Sequence, residues 1–316
     1  MAILFFVLGL VFLVLGADFL VKGASRLAGA VGISPLVIGL TVVAFGTSAP
    51  EMAVSAMASL DGQADLAMGN VVGSNIFNVL FILGLSALVT PLAVSKQLIR
   101  LDVPLMIAVS LILVVFAWDG GIQRWEAALL FLGIITYTVF QVLESRRESA
   151  KSREAEGPDP ESTSAGFYLV NVARIIGGLC CLVLGSDLLV DAAITFATHI
   201  GVSERVIGLT IVAAGTSLPE LATSVMASIR GERDIAVGNV VGSNVFNILA
   251  VLGLSGMFSP SGLPVAAGTL SLDIPVMVAT AIICFPLFFT GFKISRLEGA
   301  FFVVCYVVYT TYLVMS

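Results

Sequence analysis

The sequence predicts an all-α membrane protein of ten transmembrane helices arranged as two inverted five-helix repeats, and three observations carry that expectation. First, 58% of the 316 residues are hydrophobic and only 11% are charged, against about 25% charged in soluble domains. A chain of this size could fill a large core but could not clothe it in polar surface. Second, the apolar residues fall in about ten blocks of 17–25 residues, the length that crosses a hydrocarbon layer of ~30 Å. Third, the two halves are copies. "VIGLTVVAFGTSAPE" (Val37–Glu51) matches "VIGLTIVAAGTSLPE" (Val206–Glu220) at 12 of 15 positions with an offset of 169. At the same offset "GNVVGSNIFNVL" (Gly69–Leu80) matches "GNVVGSNVFNIL" (Gly238–Leu249) at 10 of 12. Repetition this strong must shape the fold.

The predicted spans are 2–21, 36–58, 67–89, 101–118, 125–144, 167–190, 205–228, 236–258, 272–291 and 297–315. The first opens "MAILFFVLGL", without a basic leader or a small-residue cleavage site, and reads as a retained span rather than a signal peptide. Residues 1–143 form the first repeat with its core at 36–85, and 167–316 the second with its core at 205–254. Between them "ESRRESAKSREAEGPDPESTSAG" (Glu144–Gly166) mixes both charge signs with Gly, Pro and Ser and reads as a flexible linker. Five spans per half is an odd number, so the second half enters the membrane from the opposite side.

Basic residues orient the chain. Lys22, Arg26, Lys96, Arg100, Arg146, Arg147, Lys151, Arg153, Arg230, Arg233, Lys293 and Arg296 fall in alternate loops on one side, and only Arg124 and Arg205 on the other. Cytoplasmic loops hold the excess of Lys and Arg, which puts the linker in the cytoplasm and both termini outside, in the cell inner membrane. The net charge of −6 is spread over short loops and points to no charged partner. Partners are therefore the lipid bilayer and small cations, with no nucleic acid and no obligate protein partner. Cys180, Cys181, Cys284 and Cys305 lie inside apolar blocks without metal-ligand spacing and are expected to be buried, inert thiols.

The chemistry lies in the repeated motifs. Ala44, Thr47, Ser48 and Glu51 are spaced to share one helix face, as are Ala213, Thr216, Ser217 and Glu220. Asn70, Ser74 and Asn78 share a face of the next span, mirrored by Asn239, Ser243 and Asn247. Thr47, Asn78, Thr216 and Asn247 sit at or near the centres of their spans, so the polar positions of four helices meet about halfway across the membrane. Pro50 and Pro219 have no N–H for the carbonyls of Gly46 and Gly215, and their rings open that turn. Backbone freed at such depth is tolerated only where it lines a polar cavity. A lone carboxylate there costs from ~3 kcal/mol upward, and none of the four spans holds a Lys or Arg to offset Glu51 and Glu220. Protons could neutralise the pair; metal cations would also use the freed carbonyls, and cations are the favoured reading. An all-oxygen donor set without Cys or His suits Ca²⁺ or Na⁺ better than Mg²⁺ or Zn²⁺.

Plainer explanations cover part of the pattern. The glycines of "GNVVG" fit close packing of helices, and Asp102 and Asp273, each two residues before a proline, read as helix-start caps. Asp18 and Asp187 are candidates for a side path, and Asp18 also stands one turn from Lys22, a natural ion-pair partner.

At "GTSAPE"/"GTSLPE" and "GNVVGSNIFN"/"GNVVGSNVFN" the chain resembles the sodium/calcium exchanger family, in its short prokaryotic form, over essentially its whole length. The resemblance implies a secondary antiporter and not an enzyme, moving Ca²⁺ and Na⁺ as cargo with no resident cofactor. It implies four ion sites between the second, third, seventh and eighth helices. Glu51 and Glu220 would be shared by both ions, and the carbonyls of Thr47 and Thr216 would complete the Ca²⁺ site. Ser48, Ser217, Ser74 and Ser243, with the carbonyls of Ala44 and Ala213, would flank it as Na⁺ sites. Asn78 and Asn247 would hold the middle position, where many members carry aspartate; Asn at both puts K⁺ co-transport and a proton role there in doubt. The rival readings are an H⁺/Ca²⁺ or K⁺-dependent exchanger, an intramembrane hydrolase, and a channel.

Overall fold

The computed structural model describes residues 2–156, 164–199, 213–289 and 291–315. We number its helices α1 (Ala2–Val31), α2 (Pro35–Thr47), α3 (Ala49–Leu60), α4 (Asp65–Val89), α5 (Leu98–Ala117), α6 (Arg124–Glu156), α7 (Ala165–His199), α8 (Leu218–Arg230), α9 (Arg233–Phe258), α10 (Thr269–Phe289) and α11 (Arg296–Met315). Among the described residues eight helices are long and apolar enough to cross a membrane, and the bent pair α2–α3 is so when its two arms are taken together. Of the predicted span 205–228, residues 205–212 lie outside the described residues. Arg205 and the "VIGLT" stretch from Val206 lie there too. The described chain is thus an all-helical, multi-pass membrane protein.

Burial sorts these helices into a centre and a rim. α9 is wholly enclosed and α4 mostly so, while α1, α7 and α11 expose most of their surface. That exposed surface is greasy: Ile3, Leu4, Leu169, Leu297 and Val308 stand free on its outside, as lipid contact requires. Two antiparallel strand pairs tie the loops across the halves: β1 (Leu92–Ala93) with β4 (Lys293–Ile294), and β2 (Gly121–Ile122) with β3 (Leu263–Pro264).

α1 packs along α7 through a seam of small residues. A Cβ on Gly9 would stand 2.8 Å from the Gly185 carbonyl, one on Gly16 2.7 Å from that of Gly178, and one on Gly23 2.9 Å from that of Asn171. Residues 9, 16 and 23 repeat every seven, the period of a left-handed helix pair. The opposing partners descend in steps of seven as well, so the two helices are antiparallel and in backbone contact throughout. The second "GNVVG" behaves likewise. A Cβ on Gly238 would meet the Leu36 carbonyl at 2.8 Å and one on Gly242 the Leu40 carbonyl at 2.6 Å, as expected for small-residue packing. No described atom lies within 4 Å of such a Cβ on Gly69 or Gly73; the residues that would mirror Leu36 and Leu40 are 205 and 209.

Four expectations need correction. Helix boundaries run past the predicted spans: α1, at 30 residues, rises about 45 Å and must tilt or project beyond a ~30 Å layer. Helix α7 likewise runs on to His199, past the predicted end of its span at residue 190. The linker opens as helix through Glu156, because Glu, Arg, Ala and Lys are strong helix formers and no breaker comes before Gly157–Pro158. Asp102 is not a cap: the chain is helical on both sides of it, so nearby N–H groups are already used. Its buried carboxylate instead accepts from Tyr137 (3.2 Å), Gln97 (3.3 Å) and Gln141, and Asp273 accepts from Tyr309 at 2.8 Å. Finally, of the four cysteines only Cys284 is buried. Cys180 lies exposed between Ile176 and Leu184 on the apolar outer face of α7.

Candidate functional site

The proline motifs break two helices. α2 and α3 meet at 45°, with Ser48 at φ −80°, ψ 6° and Pro50 in the first turn of α3. Ser217 adopts the same conformation (φ −90°, ψ 8°) before Pro219 and α8. The expectation of one continuous face through Ala44, Thr47, Ser48 and Glu51 is therefore corrected: Ser48 is the hinge, and Glu51 opens a new helix. Each glutamate stands in a first helical turn, where free N–H groups and the helix dipole favour negative charge.

The freed carbonyls do not share one fate. Pro50 leaves the Gly46 carbonyl without its helical donor, while the Ala44 carbonyl still accepts the Ser48 N–H at 2.9 Å and lies 3.4 Å from Thr47 Oγ1. In the other half Ser186 of α7 donates to the Gly215 carbonyl at 2.6 Å, the one Pro219 orphans. The first repeat has Ala17 at the position equivalent to Ser186 and cannot do this. Ser186 was not singled out from the sequence; its signal was the single polar change inside the "VLGADFLV"/"VLGSDLLV" echo. Replacing Ser186 by Ala is expected to lower stability by ~1–3 kcal/mol, the cost of an unmet buried carbonyl. Thermal unfolding in detergent checks this.

The two halves then grip each other reciprocally. Ser48 Oγ donates to Glu220 Oε1 and Ser217 Oγ to Glu51 Oε1, both at 2.9 Å. Thr47 Oγ1 donates to Asn239 Oδ1 (3.1 Å) and Thr216 Oγ1 to Asn70 Oδ1 (3.3 Å). Asn70 Nδ2 donates to Ser55 (3.0 Å), and Asn239 Nδ2 to the equivalent Ser224 (2.9 Å). Ser74 Oγ lies 3.1 Å from Ser217 Oγ. The Thr47 and Thr216 hydroxyls thus spend their protons on asparagines. Ala213 begins the short turn Ala213–Gly215 at the edge of the described residues.

What this network leaves unmet defines the site. Both glutamates are 0% exposed, and the ion pairs among the described residues include neither. Glu51 Oε2, Glu220 Oε2, Asn78 Oδ1, Asn247 Oδ1 and Ser243 Oγ are buried without a hydrogen-bond partner. Each such atom costs ~1–3 kcal/mol, and a charged one more. All five are oxygens; Ser86 Oγ, Thr223 Oγ1 and Ser255 Oγ are the other such atoms among the described residues.

Two further residues aim the asparagines. Asn78 Nδ2 donates to Asn244 Oδ1 at 3.2 Å and Asn247 Nδ2 to Asn75 Oδ1 at 3.1 Å. The amides of Asn75 and Asn244 in turn face Met277 Sδ at 3.7 Å and Met106 Sδ at 3.5 Å, which fixes their oxygens as acceptors. Asn78 and Asn247 must therefore present their own oxygens as the free ends. Asn75 and Asn244 were missed; their position three residues before Asn78 and Asn247, in both copies of the motif, was the available signal. At those same positions the α-helices pass into π turns, Phe77–Leu83 and Asn247–Leu252, a widening common at functional sites.

The chain that carries this arrangement has relatives among known proteins. The profile of the sodium/calcium exchanger protein family matches residues 1–143 and 170–315. The chain belongs to this family. The exchanger is 36% identical to the sodium/calcium exchanger MaX1 of Methanosarcina acetivorans over 97% of this chain and 96% of that one. It is 40% identical to the inner membrane protein YrbG of Escherichia coli (strain K12), over 80% of this chain and 78% of the other. Its fold matches the sodium-calcium exchanger NCX_Mj, soaked with zero Na⁺ and Ca²⁺, with a TM-score of 0.84 and 31% identity over 99% of this chain and 98% of that chain. The family to which the chain belongs is one of transporters of the exchanger class rather than enzymes.

Proposed function

We propose that this protein exchanges Na⁺ for Ca²⁺ by alternating access, with both ions competing for the oxygens around Glu51 and Glu220. The buried, partnerless oxygens of Glu51, Glu220, Asn78, Asn247 and Ser243 carry this reading, since an oxygen-only cage with two carboxylates fits Ca²⁺ in ligand type and in charge. The carbonyls of Thr47 and Thr216 complete the Ca²⁺ position. Ser48, Ser217, Ser74 and Ser243, with the carbonyls of Ala44 and Ala213, flank it for Na⁺, and Asn78 and Asn247 hold the middle. The likeness to two proteins named as sodium/calcium exchangers, MaX1 and NCX_Mj, supports the assignment.

The same reading takes the fold as ten spans in two inverted repeats, with the linker cytoplasmic and both termini outside. The reciprocal hydrogen bonds between the halves and the basic residues of alternate loops support it. α1 and α7, fused along their glycine seam, are the moving body. One contact suggests how they are held: Asp18 of α1 pairs with Lys22 at 2.6 Å and with Arg230 at the end of α8, so α1 packs on α8. Across the repeat the positions equivalent to Asp18, Lys22 and Arg230 are Asp187, Asp191 and Asp61, which cannot form such a tie. Asp18 is thus a lock on the linker side rather than part of an ion path.

Breaking the tie by Asp18→Asn or Arg230→Gln is expected to open that face. A thiol at Thr223→Cys, one turn beyond Glu220, should then react faster with an impermeant reagent added from the linker side, in a background without the native cysteines. The exchanged pair Asp18→Arg with Arg230→Asp should restore protection. Ca²⁺ uptake into proteoliposomes, with Na⁺, K⁺ and pH varied separately, tests the function itself. Uptake should require an opposing Na⁺ gradient; uptake driven by a proton gradient alone would assign the chain to H⁺/Ca²⁺ exchange instead.

A further inference from the structure

Away from the ion site, a cavity of about 340 Å³ opens between the start of α5 and the end of α10, lined by Lys96, Ile99, Arg100, Pro104, Phe285, Phe289 and Phe292. From its two cations and its aromatic wall we infer that this cavity binds an anionic phospholipid, the phosphate on Lys96 and Arg100 and the acyl chains along the phenylalanines.

Position is the first support. Lys96 and Arg100 flank the first residue of one candidate span, Leu98–Ala117, and Phe289 is the last residue of another, Thr269–Phe289. The cavity therefore lies where hydrocarbon gives way to headgroups. Charge is the second. Lys96 and Arg100 are exposed, and neither joins an ion pair among the described residues. Asp102, the nearest carboxylate in sequence, is buried and already accepts from Tyr137, Gln97 and Gln141. Basic pockets between membrane helices suit anionic headgroups for this reason.

The wall is also built rather than incidental. Phe292 is half exposed and holds φ 52°, a left-handed conformation that side chains rarely adopt. It is kept there by the pairing of Ala93 with Lys293 and by the Val94 N–H, which donates to the Phe292 carbonyl at 2.9 Å. Strained residues of this kind persist where the surroundings over-determine them, commonly at ligand sites. The other repeat has Ala267 and Ser271 where this one has Lys96 and Arg100, aligned on Asp102 and Asp273, so the site exists on one face only.

The inference needs only that the chain spans a membrane, and its test reads no ion flux, so it stands or falls apart from the exchange reading. Purified full-length protein is mixed with equal amounts of phosphatidylglycerol and phosphatidylcholine, and retained lipids are counted by native mass spectrometry. Wild type should retain the anionic lipid roughly ten-fold in preference. Lys96→Gln with Arg100→Gln should abolish the preference, whereas Arg146→Gln with Arg147→Gln, which removes the same charge on the linker side, should leave it. Equal retention of both lipids by wild type, an unchanged preference in the Lys96/Arg100 variant, or displacement of the lipid by inorganic phosphate would each overturn the proposal.

Discussion

Glu51→Gln and Glu220→Gln should each abolish Ca²⁺ transport, by roughly two orders of magnitude or more, in protein that still folds. The amide keeps an oxygen for the hydroxyl that Ser217 or Ser48 donates at 2.9 Å, so the local geometry has reason to survive. It loses the charge, and it puts an N–H₂ where Oε2 stood without a partner. A cation then faces a donor instead of an acceptor, and one unit of negative charge in place of two. In the absence of ions the variants should be at least as stable as wild type, because a buried carboxylate without a counter-charge is costly. Added Ca²⁺ separates the two roles. Wild type should gain ~2.7 kcal/mol of stability at a hundred times the dissociation constant, and the variants should gain nothing. Thermal unfolding with and without Ca²⁺, beside flux in proteoliposomes, reads both effects.

The second large effect is expected at the α1–α7 seam. Gly16→Leu or Gly178→Leu should leave little folded protein, and Gly16→Ala or Gly178→Ala should cost ~1–3 kcal/mol. The first atom of either side chain already falls 2.7 Å from a carbonyl of the opposing helix, and backbone cannot swing aside as a long side chain can. Gly177, beside Gly178, has nothing within 4 Å of its added Cβ. Gly177→Ala is therefore the control, and it should behave as wild type. Yield and melting temperature in detergent measure the series. If Gly178→Ala and Gly177→Ala melted alike, the two helices would not be the single body that alternating access requires.

Much of this was legible in the sequence because the controlling physics is coarse or repeated. Apolar blocks set the spans, and the duplicated motif picked out Glu51, Glu220, Ser48 and Ser217, which the structure joins across the two halves. What escaped depends on pairings that spacing cannot express. Ser186 reaches a carbonyl 29 residues away, and a serine among leucines gives no hint of its acceptor. Asn75 and Asn244 matter through the direction of an amide, settled by sulfur atoms on two other helices. The helical start of the linker was hidden by its polarity: charged residues suggest solvent, while their helix propensity continues α6. Asp102 read as a cap because Asp before Pro commonly is one, yet a helix that runs straight through leaves no N–H to cap. Cys180 was assigned to the interior by its apolar neighbours, a rule that inverts where the outside is lipid.

The central claim is that one cation is held by both halves at once, through Glu51 and Glu220. Crystals soaked in Sr²⁺, a heavier stand-in for Ca²⁺, test it by anomalous scattering. The account predicts one dominant peak within about 2.6 Å of carboxylate oxygens from both residues, weakened by added Na⁺. A peak that touched only one glutamate, or that stood elsewhere in the fold, would contradict it.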